Sequence, residues 1–102
     1  MTIQHGFHAS IPAHPGQGDA LAALLLAAPS LGNADCLIFL VSRSAGNPDL
    51  VSVAEGWSSK AAHAEFFASP AAQAFVARLA PLIAGEPIYS DAIPVGGKAV
   101  LA

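Results

Sequence analysis

From Phe7 to Ala13 the residues Phe7, Ala9, Ile11 and Ala13 alternate with His8, Ser10 and Pro12, the period-two pattern of a strand. His14-Pro15-Gly16 stops it. Asp19 precedes Ala20 to Ala28, where Leu21, Leu24, Leu25 and Ala28 recur at helical spacing, and Pro29 and Gly32 end the helix. Leu26 lies off the main stripe, so this helix is apolar nearly all round, and its outer surface is either alanine or covered. Cys36 to Val41 is an unbroken apolar run of strand length, which predicts a strand buried on both faces. The turn formers of Ala45-Gly46-Asn47-Pro48-Asp49 then lead into Leu50 to Trp57, whose alternation puts Val51, Val53, Glu55 and Trp57 on one side.

Ser58 or Ser59 suits the cap of a helix running through Ala61, Ala62, Phe66 and Phe67 to Ser69. Ser69-Pro70, serine at a cap and proline at the first helical position, starts a further segment carrying Phe75, Val76 and Leu79, which Pro81 kinks or ends. Gly85 suits the residue after a helix, and Pro87 to Val95 offers a last strand with Ile88, Ser90 and Ala92 opposite Tyr89, Asp91 and Ile93; the Gly96-Gly97 tail reads as loose. The order is β-α-β-β-α-β, a ferredoxin-like α+β arrangement that gives a four-stranded antiparallel sheet with helices on one face. Strands apolar on both sides need a second cover, and a twofold copy of the same sheet supplies one, so a homodimer is expected.

Length and composition narrow the function. A chain of 102 residues fits one domain, 1–102 with its core at about 5–95. It is 54% hydrophobic and only 11% charged, against the roughly 25% charge of an average domain, which again points to a covered surface. Arg43, Lys60, Arg78 and Lys98 are its only Lys and Arg residues and the net charge is -3, so no cationic patch exists to hold nucleic acid. Met1 to Ser10 has no basic region followed by an apolar run, and no stretch approaches the length of a membrane span; a cytoplasmic address and no membrane partner are expected. Cys36, the single cysteine, rules out an internal disulfide and multi-cysteine metal sites, and fits a small buried hydrophobe at a strand start.

Ala13 to Ala28, with its Ala-His-Pro-Gly-Gln-Gly-Asp-Ala-Leu opening, and Glu55-Gly56-Trp57-Ser58-Ser59 together resemble the antibiotic biosynthesis monooxygenase family. There a first strand ends in Pro-Gly before a helix, and a third ends in Glu-x-Trp before a helix with a His-x-x-Ser-Pro-His pattern. The resemblance in element order spans residues 5 to 95 and implies a dimeric α+β barrel. Members often use oxygen without metal or flavin, on electron-rich phenols, quinols or anthrones held between sheet and helices. Anchored on Ser69-Pro70, the family's two helix histidines fall on Phe66 and Ala71, and His63 stands one turn earlier on the face of Phe66. The first-strand asparagine of the related haem-degrading branch falls on Ala9, which argues against haem breakdown.

Cofactor-free oxygenation needs an apolar cavity that excludes water, a group that removes a phenolic proton and access for oxygen. His63 and Trp57 are the expected catalytic pair, His63 for proton removal and Trp57 for ring stacking with its N–H as donor; no cofactor is called for. Phe66 and Phe67 are expected in the wall, with Glu55 and Tyr89 beside them. A packing role for Trp57 and Phe66, a hydrogen-bond-acceptor role for Glu55 and a sheet contact for Tyr89 and Asp91 are the structural alternatives. No metal site is expected, because His5 and His8 fall on opposite faces of an extended segment and His14 sits in a turn. Nucleotide and hydrolase motifs are absent. The leading expectation is a monooxygenase on a small aromatic or polyketide-like quinol. The alternatives are a non-catalytic dimer that binds a hydrophobic ligand or has a structural role, and an isomerase or mutarotase on the same fold.

Overall fold

The computed structural model describes residues 2–98. Strand β1 (His5–Pro12), helix α1 (Gly18–Leu25), a 3-10 turn (Pro29–Gly32), strands β2 (Cys36–Arg43) and β3 (Leu50–Trp57), helices α2 (Lys60–Phe67) and α3 (Pro70–Leu79), a second 3-10 turn (Ala80–Leu82) and strand β4 (Ile88–Ala92) follow one another. The strands form one antiparallel sheet in the order β2-β3-β1-β4, and the fold is ferredoxin-like α+β.

Alternation on the two central strands builds the core. Opposite pairs Ala9–Val53 and Ile11–Val51 are buried on the helix side, where Leu21 and Leu25 of α1 and Leu79 of α3 cover them. Burying side chains of this size stabilises the fold by roughly 1.5–3 kcal/mol each. Ser59 and Ser69 accept hydrogen bonds from the N–H groups of Ala62 and Ala72, at 3.0 and 3.2 Å, so α2 and α3 are each started by a serine side chain. Three of the boundaries that differ from the sequence expectation have a local cause. Helix α1 starts at Gly18, because Asp49 of the β2–β3 loop accepts from the N–H groups of Gly16 and Gly18 at 3.0 and 2.9 Å; Asp19 instead pairs with Arg43. It ends at Leu25 and not Ala28, since Ala28 precedes a proline and is extended. Strand β4 stops at Ala92, paired with Gly6 near the start of β1; Ile93 has no partner strand and Pro94 no N–H to offer.

Strand β2 departs from expectation more instructively. Its apolar run was expected to be buried on both faces, yet within one chain none of its residues is buried and Leu40 is 39% exposed. Being an edge strand, it packs against the core through Phe39 and Val41, which are only partly buried. The opposite face of the sheet, with Leu40, Ser42, His8, Ser10 and Ile88, carries no helix and lines a shallow hollow. Among the described residues no helix is long and apolar enough to cross a membrane.

The approach of Gly18 to the β2–β3 loop is testable. A Cβ there would lie 2.0 Å from the carbonyl oxygen of Pro48, whereas one at Gly32 meets nothing within 4 Å. Alanine is ordinarily favoured over glycine in a helix by up to about 1 kcal/mol. Gly18→Ala is nevertheless expected to lose about 2 kcal/mol in urea unfolding, by overpacking. Gly32→Ala should change stability by less than about 0.5 kcal/mol. Equal midpoints for the two variants would contradict this account.

Candidate active site

Beyond the aliphatic core, the same alternation carries β1 and β3 into polar and aromatic residues. His5 pairs with Trp57 and Phe7 with Glu55, so the four side chains share one patch on the helix side of the sheet. Helix α2 lays His63 across that patch. The His63 ring centroid lies 4.9 Å from Phe7, 5.0 Å from Trp57 and 5.1 Å from His5. Phe66 packs on Trp57 at 5.2 Å, and Tyr89 of β4 stacks on Phe7 at 5.7 Å.

A largely apolar cavity of about 100 Å³ lies between this patch and the helices. Five of the six residues singled out from the sequence line it: Glu55, His63, Phe66, Phe67 and Tyr89. Phe67 and Tyr89 are more than half exposed, while Glu55 and His63 are drawn in, with side chains 12% and 13% exposed. Trp57 is the exception. It is fully buried behind the cavity, and its Nε1–H donates to Glu55 Oε1 at 2.9 Å. The expected stacking of its ring on a ligand is therefore corrected: the indole packs in the interior and its one donor holds the Glu55 carboxylate in place.

Burial sets the protonation of both polar groups. It raises the Glu55 carboxyl above the ordinary value of 4.5, and the indole N–H offsets part of that rise. It lowers His63 below 6.5, His5 lowers it further and Asp91 opposes them, so the surroundings favour the uncharged imidazole. His63 Nε2 and Glu55 Oε1 are 3.8 Å apart, too far for a direct hydrogen bond and close enough for both to meet one small polar group. Cys36, half-buried, has its thiol pushed up to about 11 by burial and by Glu55, and stays protonated.

His5, Phe7 and Asp91 were not among the site residues expected. His5 is buried, with Nε2 at 3.2 Å from His63 Nδ1 and 3.5 Å from Asp91 Oδ1. Extending the first strand's alternation back by one step places His5 on the face of Phe7, and that signal was available. His8 faces the helix-free side, as its odd spacing from His5 requires, and no group of three or more His, Cys, Asp or Glu among the described residues is arranged to hold a metal ion. Of the two positions aligned with the family's histidines, Phe66 lines the cavity and Ala71 is exposed outside it.

The protein is thus a ferredoxin-like sheet with a half-closed, largely apolar cavity under its second helix and a glutamate and a histidine on the cavity wall. Residues 5–78 match the antibiotic biosynthesis monooxygenase family, and the chain belongs to it. It is similar to a candidate antibiotic biosynthesis monooxygenase from Chloroflexus aurantiacus, with 31% identity, a TM-score of 0.81 and coverage of 94% of this chain and 97% of that one. Candidate members from Caulobacter crescentus (21% identity, TM-score 0.78, 92% of each chain) and Deinococcus radiodurans (18%, 0.78, 96% and 99%) share the fold. No curated protein matches the chain.

Trp57, the only tryptophan, reports on its carboxylate partner. Its fluorescence is expected to change with pH at a midpoint above 4.5, and the change should vanish in Glu55→Gln. The linked stability contribution has the sign of a raised carboxyl: it is fully present below the unfolded-state value and lost as pH rises through the folded-state one. A transition that persists in Glu55→Gln would assign it to another group.

Proposed function

We propose that the chain is a cytoplasmic, homodimeric monooxygenase that oxidises a small electron-rich phenolic substrate, a quinol or anthrone, with dioxygen and without a cofactor. The observation that carries this is the imidazole of His63, drawn in beside the Trp57-held carboxyl group of Glu55, in a largely apolar cavity of a monooxygenase-family fold. Family membership favours this over a purely binding or structural role.

The chemistry asks for few groups. His63 Nε2 takes the phenolic proton, and the cavity, poor in other hydrogen-bond donors, leaves the anion electron-rich. The ring carbon gives an electron pair to dioxygen and forms a C–O bond, the peroxide takes a proton, and loss of water leaves a carbonyl, so that CH2 plus O2 becomes C=O plus H2O. Glu55 fixes the position of the substrate hydroxyl, and Trp57 holds Glu55. Phe66 and Phe67 form the wall, and Tyr89 with Phe7 borders the opening. A cavity of about 100 Å³ is smaller than the ~150 Å³ hole that accepts benzene, so even the reacting ring is only partly enclosed and the substrate extends past Phe67 and Tyr89.

The helix-free face supports the dimer. Leu40 and Ile88, 39% and 70% exposed, share it with the half-buried Ile38 of β2, and a second copy placed face to face removes this apolar surface from water. Light scattering is expected to give a dimer at micromolar concentration and a monomer for Leu40→Glu; a wild-type monomer would exclude the barrel.

The activity is tested by oxygen uptake of the metal-stripped protein with dihydroxynaphthalenes, anthrones and menadiol. His63→Ala should lose about 10²–10⁴ in kcat, the usual loss for removal of a positioned base. Trp57→Phe, which releases Glu55 without touching the substrate, should lose less. Uptake equal to the substrates' own autoxidation would transfer the assignment to hydrophobic-ligand binding.

A further inference from the structure

The polar network does not stop at the cavity wall. Behind His63 stands His5, buried on β1, and beyond it Asp91 on β4, whose side chain is 63% exposed. His5 Nε2 and His63 Nδ1 are 3.2 Å apart, nitrogen to nitrogen, with one proton to share. Where that proton sits decides what the other nitrogen of His63 can do. In the tautomer in which His63 Nδ1–H donates to His5, His63 Nε2 carries a lone pair and is a base. In the one in which His5 Nε2–H donates to Nδ1, His63 Nε2 carries the proton and is an acid on the side of Glu55.

We propose that His5 is the proton reservoir of the site: it takes up the substrate's proton through His63 and returns it to the peroxide. This rests on the oxygenase reading given above. As the phenolic O–H proton arrives at His63 Nε2, the Nδ1 proton moves to His5 Nε2. His63 stays neutral, and the positive charge rests on His5, 3.5 Å from the Asp91 carboxylate. Dioxygen then adds to the substrate carbanion. The peroxide anion takes the Nε2 proton of His63, and His63 Nδ1 takes its own proton back from His5. No proton is gained or lost overall, in keeping with a reaction that yields only a carbonyl and water.

The arrangement explains features that proton removal by His63 alone leaves idle. A lone imidazole that became cationic at the cavity wall would hold the substrate anion in a tight ion pair and oppose its electron transfer to oxygen. Passing the charge to His5 moves it one ring further from the substrate. The groups that face the pair are Glu55 from β3 and Asp91 and Tyr89 from β4, with the protonated thiol of Cys36 beside Glu55. Of these, Asp91 is the carboxylate next to His5 and Glu55 the one next to His63. His5 acts through His63 and does not line the cavity, so its role is separable from substrate binding.

The test combines nitrogen NMR titration of the histidine side chains with oxygen uptake, in the wild type, His5→Gln, His5→Ala and Asp91→Asn. Glutamine keeps hydrogen-bonding contacts to His63 but cannot relay a proton. The His63 midpoint, below 6.5 in the wild type, is expected to rise in His5→Gln and to fall further in Asp91→Asn. His5→Gln should lose about 10² in kcat with little change in KM, and added imidazole should restore part of the rate of His5→Ala. An identical His63 titration in wild type and His5→Gln overturns the coupled pair. Full kcat in His5→Gln overturns the reservoir while the oxygenase stands. Absence of wild-type uptake removes the oxygenase and the reservoir together, and leaves the coupling as the NMR measures it.

Discussion

Residues two apart on a strand share a face, and a one-residue slip between neighbouring strands would turn every one of them to the other side. The register of β1 against β3 sets Phe7 beside Glu55 and His5 beside Trp57, and the site depends on it. The aliphatic pairs Ala9–Val53 and Ile11–Val51 fix that register through burial, and the same ladder then carries the polar pairs into place at its far end. Core and site are two halves of one pairing. The indole of Trp57 completes the link, being fully buried like the core while binding the carboxylate that faces the cavity.

The half-buried state of β2 follows from the same sheet order. With β3 and β1 in the centre, the three helices cover the middle of one face, and the edge strand is left with Phe39 and Val41 partly covered and Leu40 bare. A run such as Cys-Leu-Ile-Phe-Leu-Val is costly on an exposed edge, both for its apolar area and for its free backbone groups. Its composition makes sense if a second sheet meets this face, the condition that the proposed homodimer would supply.

Much of this was legible in the sequence. Alternation in Phe7–Ala13 and Leu50–Trp57 placed the central strands, and the Ser58-Ser59 pair and Ser69-Pro70 placed two helix starts, because each signal is local and one mechanism dominates it. The start of α1 was not legible, since the carboxylate that binds its first N–H group, Asp49, lies 31 residues beyond Gly18 along the chain. Placing Glu55, His63, Phe66, Phe67 and Tyr89 around one cavity needed only periods and element order. The role of Trp57 needed more: whether an indole at a strand end stacks on a ligand or turns its N–H to the carboxylate two residues back is decided by side-chain rotamers, which spacing does not specify. His5 was missed because the alternation was started at Phe7, and Asp91 becomes relevant only when the β1–β4 ladder sets it opposite Phe7.

The electrostatics of the cavity favour one chemical outcome. Burial disfavours the charged form of both Glu55 and His63, raising one and lowering the other, so the cavity wall resists holding charge on either group. A substrate that surrenders a proton there creates an anion in surroundings where interactions between charges are stronger than in water. A neutral phenol bound beside neutral His63 therefore ionises only if the proton finds a place that is both reachable and better compensated than the cavity wall. The Nδ1 side of His63 opens toward His5 and the exposed carboxylate of Asp91, where solvent and a counter-charge are at hand. In the proposed reaction, charge separation would proceed across the imidazole and away from the ring that gives its electrons to oxygen, and the one-sided placement of His5 and Asp91 would give the transfer its direction.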